Sequence, residues 1–270
     1  MQYEPIKKSL GSMFTRSVLL RKTFYLLLDL LLLRTWHVKK ALKRITPALP
    51  ENSEILDAGC GFGQYTWRMS SLSKSWKIKA IDINKEQIED CRNFIEMTNR
   101  KNRVMFETGD LTQLNEKSRY DFVLTVDVME HIEQDELVFS NFYSSLKDKG
   151  ILMISTPSDQ GGSDVHDNDD HSFIDEHVRD GYSKTDIEKK LRSAGFGRTE
   201  ILYTYGPAGT ISWNLSMKYP IKMINRSYVF YVLLPFYYLI FFPFCLIFNF
   251  IDLYSHNEKG TGLLVIAYKF

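Results

Sequence analysis

The chain has 270 residues, 34 Lys or Arg against 33 Asp or Glu, and 44% hydrophobic residues. That length can bury a full α/β core in one catalytic domain with additions, and a net charge of +1 gives no electrostatic case for nucleic acid as a partner. The three cysteines, Cys60, Cys91 and Cys245, are odd in number and lack metal-ligand or redox spacing, which excludes a disulfide framework and predicts a reducing compartment.

Residues 1–48 read as a basic, amphipathic helical region. Lys7, Lys8, Arg16, Arg21, Lys22, Arg34, Lys39, Lys40, Lys43 and Arg44 face only Glu4 and Asp29 in acid. The apolar run Phe24 through Leu33 starts late, contains Asp29 and is followed by cations, so it does not read as a secretory signal peptide. It is too short to span a bilayer. An apolar face followed by cations predicts an interfacial helix drawn to anionic lipid, the alternative being a helix that caps the core.

Residues 49–205 alternate short apolar runs with longer helix-compatible stretches, the pattern of a parallel sheet covered by helices. Strands are predicted over 54–58, 77–82, 103–107, 121–126 and 150–155, and helices over 63–71, 85–98, 134–146 and 184–194. The last helix opens at Ser183 and ends before Gly195. Two further strands are expected, at 198–204 and within 261–270, over 262–269.

Between those two strands lies an apolar insertion, 206–260. Tyr228 to Phe248 is an uncharged stretch crowded with Phe, Tyr, Leu and Ile, long enough to span a bilayer. A single crossing would leave two strands of one sheet on opposite sides of the membrane. Pro235 and Pro243 would each break a helical hydrogen bond, so the expectation is a re-entrant or in-plane helical hairpin, with an aromatic lid on the protein's own surface as the alternative.

The run Glu54-Ile55-Leu56-Asp57-Ala58-Gly59-Cys60-Gly61-Phe62-Gly63 joins a buried strand to a glycine-rich turn and a helix start. Glycine admits close approach of backbone and ligand, and a helix N-terminus suits an anionic group. Asp82 follows at the end of the second strand, where a carboxylate can accept ribose hydroxyls, and Gly109-Asp110-Leu111 closes the third. A dinucleotide site stays open on these residues, although the spacing is G-x-G-x-G and not G-x-G-x-x-G.

Together with Asp127-Val128-Met129-Glu130-His131-Ile132, these segments resemble class I methyltransferases of the ubiquinone and menaquinone biosynthesis type, over roughly 50–205 and the final strand. The resemblance implies an α/β, Rossmann-like seven-stranded sheet with helices on both faces and an antiparallel last strand, and S-adenosyl-L-methionine as cofactor. It also implies that Gly59, Gly61 and Gly63 hold the methionine end, that Asp82 holds the ribose, and that Asp110 and Leu111 hold the adenine, with Ile83 packed on its face. Asp57 shapes the turn, and Asp127 lies at the mouth.

His131 is the expected general base, since imidazole titrates near neutral pH and can take a proton from an attacking hydroxyl. Methyl transfer from a sulfonium needs alignment and deprotonation of the acceptor more than a metal. The His- and Asp-rich segment 164–177 lacks compact ligand spacing and is expected to be a solvated loop with no metal. Its end resembles a substrate-side loop of the same family, which makes His177 and Arg179 candidate substrate-binding residues.

The sixth strand should run parallel to the others, so the insertion leaves the sheet beside the cofactor pocket. This predicts O-methylation of a lipophilic acceptor, quinone-like or polyene-like, at a membrane surface on its cytoplasmic side, with the protein peripheral or monotopic. Carbon methylation of a quinone ring, methylation of a phospholipid amine, and a catalytically silent scaffold of a membrane complex are the alternatives. Nothing in the sequence sets the oligomeric state.

Overall fold

The computed structural model describes residues 17–161, 178–227 and 229–270. Two helices lead, α1 (Val18–Leu31) and α2 (Leu33–Ile45). The alternating section follows as β1 (Glu54–Ala58), α3 (Gln64–Leu72), β2 (Lys77–Asp82), α4 (Lys85–Glu96), β3 (Val104–Thr108), β4 (Tyr120–Val126), α5 (Asp135–Ser145), β5 (Leu146–Pro157), α6 (Lys184–Ala194) and β6 (Arg198–Thr204). The insertion contributes α7 (Pro207–Trp213), α8 (Tyr219–Arg226) and α9 (Phe230–Tyr254) before β7 (Gly262–Tyr268) closes the sheet.

The strand order is β3-β2-β1-β4-β5-β7-β6. β1 to β5 pair in parallel, and β7 runs antiparallel to both β5 and β6. β6 is therefore parallel to β5, and its carboxyl end opens on the same edge as those of β1, β2 and β4. Chain order reverses between β1 and β4, the position at which open α/β sheets hold ligands.

Buried on both faces, the central strands are almost wholly apolar: Ile55, Leu56, Phe122, Val123 and Leu124 are all excluded from solvent. α4 begins at the Asn84 cap, whose side chain accepts from the N–H groups of Glu86 and Gln87, and α6 at Ser183, whose hydroxyl accepts from Asp186 N–H. Gly195, at φ 112°, terminates α6 in the left-handed region where a side chain would be strained.

The insertion departs from the sequence-based expectation. Residues 230–254 form one continuous helix that contains Pro235 and Pro243, so the stretch 228–248 does not itself fold back. The return comes instead from the preceding arm, 207–226, packed along α9, and the chain reverses between Arg226 and Phe230. Both prolines sit on the exposed side of α9, where the rings displace no packed neighbour.

The shorter arm absorbs its own proline by a widened turn. Asn214–Lys218 is π-helical just before Pro220. The Ser216 carbonyl, which Pro220 cannot serve, receives the Tyr238 hydroxyl at 2.8 Å, and the Leu215 carbonyl receives that of Tyr237 at 2.8 Å. Two tyrosines of α9 thereby lock the arms together.

Candidate active site

The glycine turn is shaped by its contacts. Gly59 N–H and Cys60 N–H both donate to the Ile81 carbonyl, at 2.8 and 3.0 Å, which ties the end of β1 to β2. Gly59, at φ 77°, lies so close to the loop after β4 that an added Cβ would stand 2.2 Å from Val128. Gly61, at φ 48°, is less confined: an added Cβ would meet Gln87 Oε1 at 3.7 Å, an ordinary contact. Gly59 is therefore required by the protein's own packing, whereas Gly61 leaves room for a ligand. Gly63, at φ 74°, caps α3.

Asp57 lies beneath this turn. Its carboxylate accepts the Thr66 hydroxyl and is buried. Burial raises its pKa to about 7, against the Thr66 hydrogen bonds, and Asp82 adds to the rise. The group holds the first turn of α3 from inside.

Asp82 is placed to take a diol. Its Oδ2 accepts Gly61 N–H at 2.8 Å and its Oδ1 accepts Asn84 N–H at 2.9 Å, so backbone donors fix the carboxylate's orientation while each oxygen retains lone-pair capacity. Beside it, Ile83 is 74% exposed, an apolar side chain at the strand end left uncovered by the described residues. Asp110 caps the short turn Leu111–Gln113 by accepting Thr112 N–H at 2.8 Å, and Leu111 turns its side chain into the core.

At the end of β4, Asp127 adopts φ 51° and ion-pairs with Arg34. His131 closes the turn Met129–His131, half-buried, next to a fully buried Glu130 that accepts the Thr156 hydroxyl at 3.1 Å. Burial raises the Glu130 carboxyl. Arg179 ion-pairs with Asp135 and donates to the Ile132 carbonyl at 2.7 Å and the Glu133 carbonyl at 3.2 Å, so its guanidinium ties the chain before α6 to the His131 loop. His177 and the rest of 164–177 lie outside the described residues.

The N-terminal helices pack against the glycine turn and Asp127, and the sequence reading missed this. Arg21, Tyr25 and Asp29 of α1 are buried at four-residue spacing. Tyr25 Oη donates to the Phe62 carbonyl at 2.5 Å and Arg21 to the same oxygen at 2.9 Å, inside the glycine turn. Asp29 accepts Gln64 Nε2 at 2.7 Å and ion-pairs with Arg68 and Lys39. Arg34 reaches Asp127 from α2 and keeps a buried Nε with no hydrogen-bond partner among the described residues. The available signal was the periodicity of Arg21, Tyr25 and Asp29, a polar stripe within a leucine-rich helix.

A sheet of this order, with a glycine turn after β1 and an oriented carboxylate closing β2, defines the class I S-adenosylmethionine-dependent methyltransferases. The chain matches the family model described as a methyltransferase domain over residues 49–195, more than half its length, and belongs to that family. It is similar to the ubiquinone biosynthesis O-methyltransferase of Rickettsia bellii, 30% identical over 103 residues, which are 38% of this chain and 41% of that protein. The protein of the same description from Pelagibacter ubique is 26% identical over 106 residues, 39% of this chain and 42% of that one. The chain thus spans about two-fifths of the length of these relatives.

Among solved structures it resembles Haemonchus contortus phosphoethanolamine N-methyltransferase 2 in complex with S-adenosyl-L-methionine, with TM-score 0.59, 18% identity, and coverage of 84% of this chain and 51% of that chain. A methyltransferase from Archaeoglobus fulgidus gives TM-score 0.54 and 19% identity, with coverage of 86% of this chain and 93% of that chain. The cofactor is S-adenosylmethionine. The residues present fit it: an uncrowded glycine at Gly61, an oriented carboxylate at Asp82, an exposed apolar face at Ile83 and, among the described residues, an unpartnered cationic N–H at Arg34.

Proposed function

We propose that this protein transfers a methyl group from S-adenosylmethionine to a hydroxyl of a lipophilic acceptor, quinone-like or polyene-like, at the cytoplasmic surface of a membrane. The observation that carries the reading is that two helices beside the cofactor edge are inside out. α1 buries Arg21, Tyr25 and Asp29 and exposes Leu19, Leu20, Leu26, Leu27 and Leu30. α9 buries Cys245, Asn249 and Asp252 and exposes Val232, Phe236, Leu239, Ile240, Phe244 and Ile247. Polar groups inward and hydrocarbon outward is the pattern of a surface completed by lipid.

The geometry joins those surfaces to the chemistry. The insertion leaves the sheet at Thr204, on the cofactor edge, so an acceptor held in the leaflet beneath the lipid-facing surface enters beside the glycine turn. Asp82 holds the ribose, Ile83 covers the adenine, and the Arg34 guanidinium receives the methionine carboxylate. The cofactor supplies an activated methyl group on a cationic sulfur. The chain's own part is to orient both reactants and exclude water, with His131 taking the acceptor hydroxyl's proton. Oxygen as acceptor atom is supported by the similarity to the ubiquinone biosynthesis O-methyltransferases.

Incubating the purified protein with methyl-labelled cofactor and vesicles containing a polyprenyl phenol, then analysing the lipid extract by mass spectrometry, tests this reading. A lipid gaining one methyl on oxygen is expected. Absence of cofactor binding at millimolar concentration would overturn it in favour of a silent scaffold.

A further inference from the structure

The helical hairpin has a charge pattern that its apolar face does not account for. From Gly206 to Ile251 the chain contains no Asp or Glu, yet it carries Lys218, Lys222 and Arg226 at four-residue spacing, which aligns them along one side of the 207–226 arm. Lys222 and Arg226 are exposed, and Lys218 lies over the Trp213 ring at 5.9 Å. The same arm faces α9, whose opposite side is a continuous apolar strip about 37 Å long, taking 25 residues at 1.5 Å each.

The position of the cations decides how such a hairpin meets a bilayer. They occupy the second half of the short arm, toward its end at Arg226, and away from the base where Asp252 holds the sheet. A hairpin inserted on end would draw Lys218 and Lys222 into hydrocarbon, which is costly for an ammonium group. A hairpin lying flat keeps all three at headgroup depth, where anionic phosphates neutralise them, while Phe236, Leu239 and Phe250 enter the acyl boundary.

Resting on the membrane reading above, we infer that the hairpin lies in the plane of an anionic phospholipid surface, with Lys222 and Arg226 contacting the anionic headgroups and the outer face of α9 submerged. The partner is a bilayer bearing phosphatidylglycerol-type charge, and the cations rather than the apolar strip set the preference for it.

The test uses the full chain with vesicles of phosphatidylcholine alone and of phosphatidylcholine mixed with phosphatidylglycerol. Wild type is expected to partition at least tenfold better onto the anionic vesicles, at roughly fivefold per cation. The double variant Lys222→Gln, Arg226→Gln should lose that preference while keeping its affinity for phosphatidylcholine and for the cofactor. Spin labels on Phe236→Cys and Phe250→Cys should report equal, shallow depths, whereas an upright helix would separate them by about 21 Å. Wild type without preference, a variant that retains it, or unequal depths overturns the inference and leaves the membrane reading standing. Binding to neither vesicle, with the apolar face instead covered by a second copy in sedimentation, overturns both.

Discussion

His37 and Asp252, 215 positions apart in sequence, meet through Nε2 and Oδ1 at 2.7 Å. The same carboxylate accepts Gly206 N–H at 2.7 Å and Gly209 N–H at 3.2 Å, and it is fully buried. One side chain of α9 therefore fastens the hairpin base to α2 and to the chain leaving β6. Burial alone would raise this carboxyl, but His37 and the two amides hold it below its ordinary value. Its stabilisation is thus present above the ordinary carboxylate range and lost as pH falls through the depressed value. Asp252→Ala should cost about 3 kcal/mol at pH 7, since several buried donors lose their acceptor. Urea denaturation at pH 7 and pH 3 checks this, with the gap between wild type and variant narrowing in acid.

Asp57 behaves in the opposite sense. Its pKa is raised to about 7 from an unfolded value of 3.8, so the folded state holds the proton more tightly. The associated stability is complete below 3.8 and is lost as pH rises through 7. Asp57→Asn should therefore gain on the wild type between pH 4 and pH 8, by on the order of a few kcal/mol. Parallel melting curves for the two proteins across that range would refute the assignment.

Asp82 accepts Gly61 N–H and is the residue proposed to hold the ribose. Asp82→Ala should weaken cofactor binding roughly 30- to 100-fold, from the loss of about 2–3 kcal/mol of hydrogen bonding to a charged group. Titration calorimetry measures it directly, and an affinity unchanged within threefold would move the ribose elsewhere.

Arg34 is the cation the sequence reading did not select. Arg34→Gln should raise the KM for cofactor about tenfold or more and leave decarboxylated cofactor analogues unaffected, because only the carboxylate contact is removed. Equal losses for both ligands would assign Arg34 to holding Asp127 alone.

His131→Gln should lower kcat by about 100- to 10,000-fold with little change in cofactor affinity, the range expected when a positioned general base is removed. The loss should appear in kcat and leave the KM for cofactor nearly unchanged. A variant with wild-type rates at every pH would leave positioning alone to drive transfer.

Much of the fold was readable because burial and backbone geometry leave local marks. The apolar run Ile55-Leu56, the glycines at 59, 61 and 63, and the cap at Ser183 each encode structure within a few residues. The helix predicted over 184–194 and the strand over 198–204 match the observed limits. β4 and β5 extend beyond the predicted 121–126 and 150–155, because pairing with neighbouring strands carries the ladder past the apolar run. The predicted fold-back within 228–248 failed for a similar reason. Proline's local cost predicted a break, but a long packed helix tolerates it when the ring faces outward.

The sequence by itself determined the sheet, the glycine turn and Asp82, since each depends on the conformational limits of residues close together in the chain. Tertiary structure alone decided that Arg21 and Tyr25 meet the glycine turn at Phe62, that Arg34 meets Asp127 and that Asp252 fastens the hairpin base. A helix that turns its charges inward looks unremarkable in sequence; only the placement of Phe62, Asp127 and His37 against it determines which of its faces is the interior.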